Sequence, residues 1–259
     1  MPFVTAADGV RIHFESRGRG RPVVLLSGAF RDSSAWKHHG LFQLLAHDRR
    51  VLALDLRGHG MSDKPHDPSL YGFAKNADDV IAVLDAEQAE SADVLGESMG
   101  GNVAIALLHK THRALRSIAC HGVHPGVDPQ RASAFLLRRA RLLREGRFAE
   151  LLAIGAPAAS TDKSVVAGYV ERLKHCDALA YAAEAEAQAR FELQTLPTDA
   201  LPTLFLAGEH DVGIVGVCIA LPERYSYVCY KVLPGGDHFA ARDPEHILKP
   251  LREFWATLD

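Results

Sequence analysis

The sequence predicts an α/β fold, in which a mostly parallel β-sheet carries helices on both faces and a helical segment is inserted into the chain. Two observations lead to this prediction. Short, continuously apolar runs alternate with stretches whose apolar residues have helical spacing, which is typical of a parallel sheet buried on both faces. One long stretch in the second half of the chain lacks strand-like runs and is rich in alanine, leucine, arginine and glutamate.

The N-terminal residues predict a β-hairpin. Residues 3–5 are followed by a turn at Asp8-Gly9 and by the alternating apolar and polar residues 10–14. Beyond the hairpin, four apolar runs predict buried strands, and three stretches between them predict helices. The strands are residues 23–26, 51–54, 92–95 and 117–120, and the helices are residues 34–46, 75–89 and 99–111.

The stretch without strands predicts three helices, at residues 129–153, 162–175 and 177–194. The strand pattern then returns at 203–207 and 226–233, and a last helix is predicted at 244–258. We therefore expect a core made of residues 1–127 and 197–259, with a helical cap at 128–196. Because open α/β sheets bind ligands at the carboxyl edge of their strands, we expect the cap to cover that edge.

Composition and charge exclude several classes of partner. The net charge of −3 gives no overall attraction to nucleic acid or to an anionic membrane. No apolar run is long enough to cross a membrane, and the N-terminus lacks the apolar part of a signal peptide. The four cysteines show no zinc-ligand spacing, so we expect free thiols and a cytoplasmic protein. The sequence carries no signal for the oligomeric state.

Ser98 is the candidate nucleophile. It is the central residue of the G-x-S-x-G pattern formed by residues 96–100, between a predicted strand and a predicted helix. This strand–turn–helix context is the one in which such a serine is exposed on a sharp turn. The alternative is a serine in an ordinary glycine-rich turn.

A serine hydroxyl needs a base, and the base needs an acid that orients it. His238 lies in a glycine-rich loop after the last strand, and Asp211 follows the strand before it. Asp211 could instead cap a helix, and three other acids compete for its role: Glu209 in the same loop, Asp237 beside His238, and Asp55 after another strand. We favour the chain order Ser98, Asp211, His238.

Four separated segments together resemble the α/β-hydrolase superfamily, in its capped esterase, lactonase and C–C hydrolase group. Residues 55–63 (DLRGHGMSD) are similar to its D-x-R-G-x-G-x-S segment, and 96–101 (GESMGG) to its nucleophile turn. Residues 208–211 (GEHD) and 236–239 (GDHF) are similar to its acid and histidine loops. The resemblance covers nearly the whole chain.

The resemblance also implies an oxyanion hole and a pocket. The two donors would be the backbone N–H groups of Met99 and Ala29. The chain departs from the family at Ser27 and Glu97, where relatives often have histidine. The residues expected in the pocket are Phe30, Glu97, His124 and Phe239. The resemblance implies that no cofactor is needed.

These observations predict a serine hydrolase of a small or medium, mainly apolar ester or lactone. The apolar preference follows from the large side chains of the predicted cap, some of which would line the pocket. They are Phe135, Leu136, Leu143, Phe148, Leu151, Tyr169, Tyr181 and Phe191. Three alternatives share the same triad: hydrolysis of a C–C bond, cofactor-free perhydrolysis, and a ligand receptor with slow turnover. The histidine pairs at 109/112 and 121/124 lack the H-E-x-x-H form, so we expect no metal site.

Overall fold

A computed structural model describes residues 2–110, 112–126, 128–154, 163–190, 196–240 and 243–259. Within these residues, eight strands form one sheet. They are β1 (Phe3–Thr5), β2 (Arg11–Arg17), β3 (Pro22–Leu26), β4 (Arg50–Leu54), β5 (Ala92–Glu97), β6 (Leu115–His121), β7 (Thr203–Gly208) and β8 (Val228–Leu233). Their order is β1-β2-β4-β3-β5-β6-β7-β8. β1 and β2 pair antiparallel, as do β2 and β4, and all remaining pairs are parallel.

Helices connect the parallel strands. They are α1 (Ser34–His38), α2 (Leu41–Leu45), α3 (Phe73–Ala86), α4 (Met99–Leu107), α5 (Pro129–Arg144), α6 (Phe148–Ile154), α7 (Lys163–His175), α8 (Ala178–Ala189), α9 (Val212–Cys218), α10 (Leu221–Arg224) and α11 (Pro244–Ala256). The fold is therefore the predicted α/β fold with a mostly parallel sheet. We call α5–α8 the helical insert.

The sheet separates two apolar cores, which explains why its strands are continuously apolar. In β3, Val23 and Leu25 point to one face and pack in a core with α1, α2 and α11. Val24 and Leu26, the alternate residues, point to the other face and pack in a core with α3 and α4. Because both faces are covered, every residue of β3 is buried.

The helical insert has an apolar core of its own. Leu143 and Leu151 are buried there together with Leu173 and Tyr181. No described helix is both long and apolar enough to span a lipid bilayer. All four cysteines, at positions 120, 176, 218 and 229, are free.

The structure differs from the prediction mainly where glycine interrupts a helical pattern. The helix predicted over 34–46 is two short helices, because Gly40 adopts φ 85° between them. The helix predicted over 129–153 is likewise divided, with Gly146 at φ 66° after the end of α5. The short helices α9 and α10 were not predicted, because they are too short to show a helical spacing of apolar residues. Parts of the predicted helices at Thr111, 162 and 191–194 lie outside the described residues.

Candidate active site

Ser98 lies at the turn between β5 and α4. Its backbone has φ 51° and ψ −114°, a strained conformation for a residue other than glycine. A Cβ atom added to Gly96 would lie 2.2 Å from the carbonyl oxygen of Gly100. A Cβ atom added to Gly100 would lie 2.2 Å from the carbonyl oxygen of Leu26. The turn is therefore so tight that both flanking positions require glycine.

Ser98, His238 and Asp211 are joined by hydrogen bonds. His238 Nε2 lies 3.2 Å from Ser98 Oγ, and His238 Nδ1 lies 2.7 Å from Asp211 Oδ2. Asp211 precedes α9, but its side chain makes no helix-capping hydrogen bond. Its carboxylate instead accepts a hydrogen bond from the ring of His238. These two bonds bring together three residues that lie on the loops after β5, β7 and β8.

The three competing acids have other partners. Asp55 accepts hydrogen bonds from two backbone amides, and its Oδ2 lies 2.8 Å from Nδ1 of His13. Glu209 accepts a bond of 2.8 Å from a backbone amide in the loop after β8. Asp237 accepts a bond of 2.7 Å from the N–H of Phe239. Each of these carboxylates therefore braces a loop.

The surroundings of His238 favour its protonated form. Burial by itself would lower the pKa of His238, but the hydrogen bond from its ring to Asp211 raises it. The carboxylates of Asp211, Glu97 and Asp237 raise it further, so that the pKa of His238 lies above its ordinary value. The imidazolium that forms when a serine gives up its proton would be stabilised in the same way.

The loop after β3 lies against the nucleophile turn. A Cβ atom added to Gly28 would lie 3.4 Å from Cβ of Ser98, and Ala29 and Met99 line the same cavity as Ser98. The two residues expected to supply the oxyanion hole therefore line the same cavity as the candidate nucleophile. Ser27, which stands where relatives often have histidine, donates a hydrogen bond of 2.9 Å to a backbone carbonyl within the same loop.

Two side chains that the sequence analysis did not single out hold this loop. His59 accepts a hydrogen bond of 3.3 Å from the N–H of Phe30, a residue with φ 62°. Burial lowers the pKa of His59 to about 4, so its ring is neutral and Nε2 can accept. Arg31 places one guanidinium nitrogen 2.7 Å from both carboxylate oxygens of Glu97, in a buried ion pair. A single sequence reveals neither pair, since the partners are 29 and 66 residues apart.

A cavity of about 450 Å3 opens next to Ser98. Most of its walls are apolar, and α5 contributes Phe135 and Leu136 to them. Of the four residues expected in the pocket, His124 lines this cavity, whereas Phe30, Glu97 and Phe239 are not among its lining residues. The apolar residues that line it are Ala29, Phe73, Met99, Val123, Pro129, Ala132, Phe135, Leu136, Ala189 and Ile214.

The other expected cap residues have different places. Leu143, Leu151 and Tyr181 belong to the core of the helical insert, and Phe148 packs against that core. Phe191 and the side chain of Tyr169 lie outside the described part of the chain.

Among the residues that the structure describes, no three or more histidine, cysteine, aspartate or glutamate side chains are grouped so that they could hold a metal ion. His121 is fully buried, and burial lowers its pKa to about 4. Its backbone carbonyl accepts the N–H of Ser98 at 2.8 Å, which ties β6 to the nucleophile turn.

The fold and the site define the class of protein. A sequence profile described as the alpha/beta hydrolase family matches residues 23–248, which is most of the chain. The chain therefore belongs to the alpha/beta hydrolase family. Its relatives include esterases, lactonases and C–C hydrolases.

Two solved structures share the fold over the full length. An esterase from Thermogutta terrifontis has a TM-score of 0.82 at 24% identity, covering 99% of this chain and 98% of the esterase. An enol-lactonase from Burkholderia xenovorans LB400 also has a TM-score of 0.82 at 24% identity, covering 98% of this chain and all of the lactonase. At this identity the likeness shows the fold alone.

Curated relatives match a shorter part of the chain. The 2-hydroxymuconate semialdehyde hydrolase of Pseudomonas sp. strain CF600 is 34% identical over 117 residues. These residues are 45% of this chain and 41% of the relative, so the match spans about two fifths of that relative's length.

Proposed function

We propose that this protein is a serine hydrolase that cleaves a small or medium carboxylic ester or lactone. The observation that carries the proposal is the continuous hydrogen-bonded chain from Ser98 Oγ through the His238 ring to Asp211. A serine, a histidine and an acid in this arrangement activate the serine hydroxyl for attack on a carbonyl carbon.

The proposed reaction begins as His238 Nε2 takes the proton of the Ser98 hydroxyl and Oγ attacks the carbonyl carbon. Asp211 keeps the proton of Nδ1 in place and stabilises the imidazolium. The negative oxygen of the tetrahedral intermediate accepts hydrogen bonds from the backbone N–H groups of Ala29 and Met99. Removal of one such donor typically costs about 3 kcal/mol of transition-state stabilisation.

The second half of the proposed reaction releases the two products. The C–O bond breaks, and His238 gives its proton to the leaving alkoxide, which departs as the alcohol. Water then gives a proton to His238 and attacks the acyl-enzyme, so that the acid leaves and Ser98 regains its proton. In a lactone, the alcohol and the acid are the two ends of one opened product. In this proposal residues 128–196 act as the cap, and their apolar side chains in the cavity favour a mainly apolar acyl or alcohol group.

The first test is steady-state hydrolysis of p-nitrophenyl esters from acetate to octanoate. We expect wild type to turn over at least one of them, and Ser98→Ala to lower kcat by at least about 10,000-fold. Ser226→Ala, which removes an exposed serine outside the cavity, is the matched control and should retain the wild-type rate. A folded wild-type protein that hydrolyses none of these esters would contradict the general esterase activity.

Hydrolysis of a C–C bond is the second candidate. It is favoured by the 34% identity to a protein named 2-hydroxymuconate semialdehyde hydrolase. The same three residues could serve this reaction, because it also passes through attack on a carbonyl carbon. Turnover of 2-hydroxymuconate semialdehyde by wild type, together with no turnover of the ester series, would establish this candidate over the first.

A further inference from the structure

Phe30 belongs to the loop after β3, but its side chain packs against the apolar core of the helical insert. The rings of Phe30 and Tyr181 on α8 meet edge to face, with their centroids 5.0 Å apart. From α5, the guanidinium carbon of Arg139 lies 4.0 Å from the centroid of the same ring. Two helices of the insert therefore hold the side chain of the residue that follows Ala29, an expected oxyanion donor.

The backbone of Phe30 is strained. Its φ of 62° lies in the left-handed region, which costs free energy for phenylalanine and persists only where the surroundings impose it. The N–H of Phe30 donates a hydrogen bond of 3.3 Å to Nε2 of His59. Because the rigid peptide group that carries this N–H is attached to Cα of Ala29, its orientation limits where the N–H of Ala29 can point.

The ring of His59 is held in the orientation that this hydrogen bond needs. Its Nδ1 lies 3.2 Å from the carbonyl oxygen of Arg57, and since a carbonyl only accepts, Nδ1 carries the proton and Nε2 is left as the acceptor. The ring of Tyr181 packs on that of His59, with centroids 4.5 Å apart. Tyr181 therefore contacts both the side chain of Phe30 and the imidazole that holds the N–H of Phe30.

We propose that Tyr181 and His59 are positioning residues for the oxyanion hole, so that the packing of the helical insert on the loop after β3 controls catalysis at Ser98. While α8 is packed on this loop, Phe30 keeps its strained conformation and the N–H of Ala29 is held ready for the oxyanion. When α8 moves away, the loop relaxes and this donor is displaced. The inference rests on the proposed function, because an oxyanion forms only if Ser98 attacks a carbonyl carbon.

The kinetic test uses a p-nitrophenyl ester that wild type hydrolyses. Loss of one oxyanion donor typically lowers kcat by about 100- to 1,000-fold, so we expect a displaced donor to lower it by about 10- to 100-fold. Tyr181→Leu and His59→Leu should each show this loss with an unchanged KM, because the donor acts on the transition state and not on the bound ester. Tyr181→Phe keeps the ring and His59→Gln keeps an acceptor, so each should recover most of the loss.

Leu179→Ala is the control, because it shortens an exposed side chain on the same helix and should keep the wild-type kcat. A kcat within about twofold of wild type in a folded Tyr181→Leu protein would overturn the proposal, and so would a loss that appears only in KM. If the fully buried His59 cannot be replaced without unfolding, Tyr181→Leu alone decides.

A pair of ketones distinguishes a displaced donor from a disturbed cavity. Pentyl trifluoromethyl ketone adds the oxygen of an activated serine and forms an oxyanion, whereas pentyl methyl ketone binds as the uncharged ketone. The inhibition constant of the trifluoromethyl ketone should rise by about 10- to 100-fold in Tyr181→Leu, while that of the methyl ketone stays unchanged. An equal weakening of both ketones would show that the cavity itself has changed, and it would overturn the proposal.

Hydrogen exchange at the Phe30 amide, measured by NMR, separates failure of this coupling from failure of the proposed function, because it needs no substrate. We expect this amide to exchange at least about tenfold faster in Tyr181→Leu than in wild type or Leu179→Ala. If this difference is present but wild type hydrolyses no ester, the coupling of the insert to the loop stands and the hydrolase proposal fails. If esters are hydrolysed through Ser98 but Tyr181→Leu changes neither the exchange nor kcat, the hydrolase proposal stands and the coupling is refuted.

Discussion

Replacing Glu184 with glutamine should stabilise the protein, by an amount that grows as the pH rises. The side chain is fully buried on α8, and its Oε1 atom has no hydrogen-bond partner among the described residues. Burial raises the pKa of Glu184 from its ordinary 4.5 to about 8, because a charged carboxylate is poorly solvated there. Glutamine has nearly the same shape and carries no charge to be desolvated.

The magnitude follows from the two pKa values. Between pH 4.5 and about 8 the unfolded chain has lost the proton of Glu184, while the folded protein keeps it. The folded state therefore binds more protons in this window, and its stability falls as pH rises, by about 1.4 kcal/mol for each pH unit. At pH 7 the loss relative to pH 4.5 is about 3 kcal/mol. Glutamine at this position does not titrate, so the variant escapes this loss.

Urea unfolding at pH 5.5, 6.5 and 7.5 measures the effect. We expect the free energy of unfolding of Glu184→Gln minus that of wild type to rise by about 1.4 kcal/mol at each step. Glu186→Gln is the control, because its hydrogen bond to Arg144 lowers the pKa of Glu186 and keeps it charged over this range. Its difference from wild type should not change with pH. A constant difference for Glu184→Gln as well would refute the reasoning, because Glu184 would then be ionised in the folded protein.

Three further substitutions test the site and its supports. Asp211→Asn should lower kcat by on the order of 10,000-fold. It should also move the low-pH fall of kcat/KM to lower pH, because the carboxylate that raises the pKa of His238 is gone. A pH–rate profile with an unchanged midpoint would contradict this. Gly100→Ala should destabilise the fold by about 3 kcal/mol or more, since its Cβ would lie 2.2 Å from the carbonyl oxygen of Leu26; an unchanged melting temperature would disprove the close contact. Asp79→Ala should cost about 2–3 kcal/mol in urea unfolding, because the buried Arg57 loses one of its two carboxylate partners and keeps only Asp8. A loss below about 1 kcal/mol would show that Asp8 alone compensates this cation.

The strands and the nucleophile turn could be predicted from sequence because their causes are local. A strand buried on both faces must be apolar at every position, and the Ser98 turn needs its two flanking glycines. Helix breaks were less visible, because Gly40 and Gly146 interrupt patterns that otherwise continue on both sides. Whether a glycine ends a helix depends on how the chain packs after it. That packing involves residues far apart in the sequence.

The supports of the site could not be predicted for the same reason. The bond between His59 and the amide of Phe30 joins segments 29 residues apart, and Arg139 reaches Phe30 from the helical insert. Glu97 stood out in the sequence as a departure beside the serine, but its buried partner Arg31 did not. Such pairs form only when the helices, strands and loops pack together. Taken singly, each of these polar residues is of a type that is common at exposed positions.

Covalent labelling of Ser98 tests the central claim most directly. A fluorophosphonate reacts with a serine only when a neighbouring base activates it, so it reports on nucleophilicity without knowledge of the substrate. We expect intact-mass analysis to show one adduct per chain on wild type, with peptide mapping to Ser98. His238→Ala should slow the labelling strongly, and Ser98→Ala should abolish it. A folded wild-type protein that remains unlabelled, or is labelled equally in Ser98→Ala, would contradict the account of this site as a serine hydrolase.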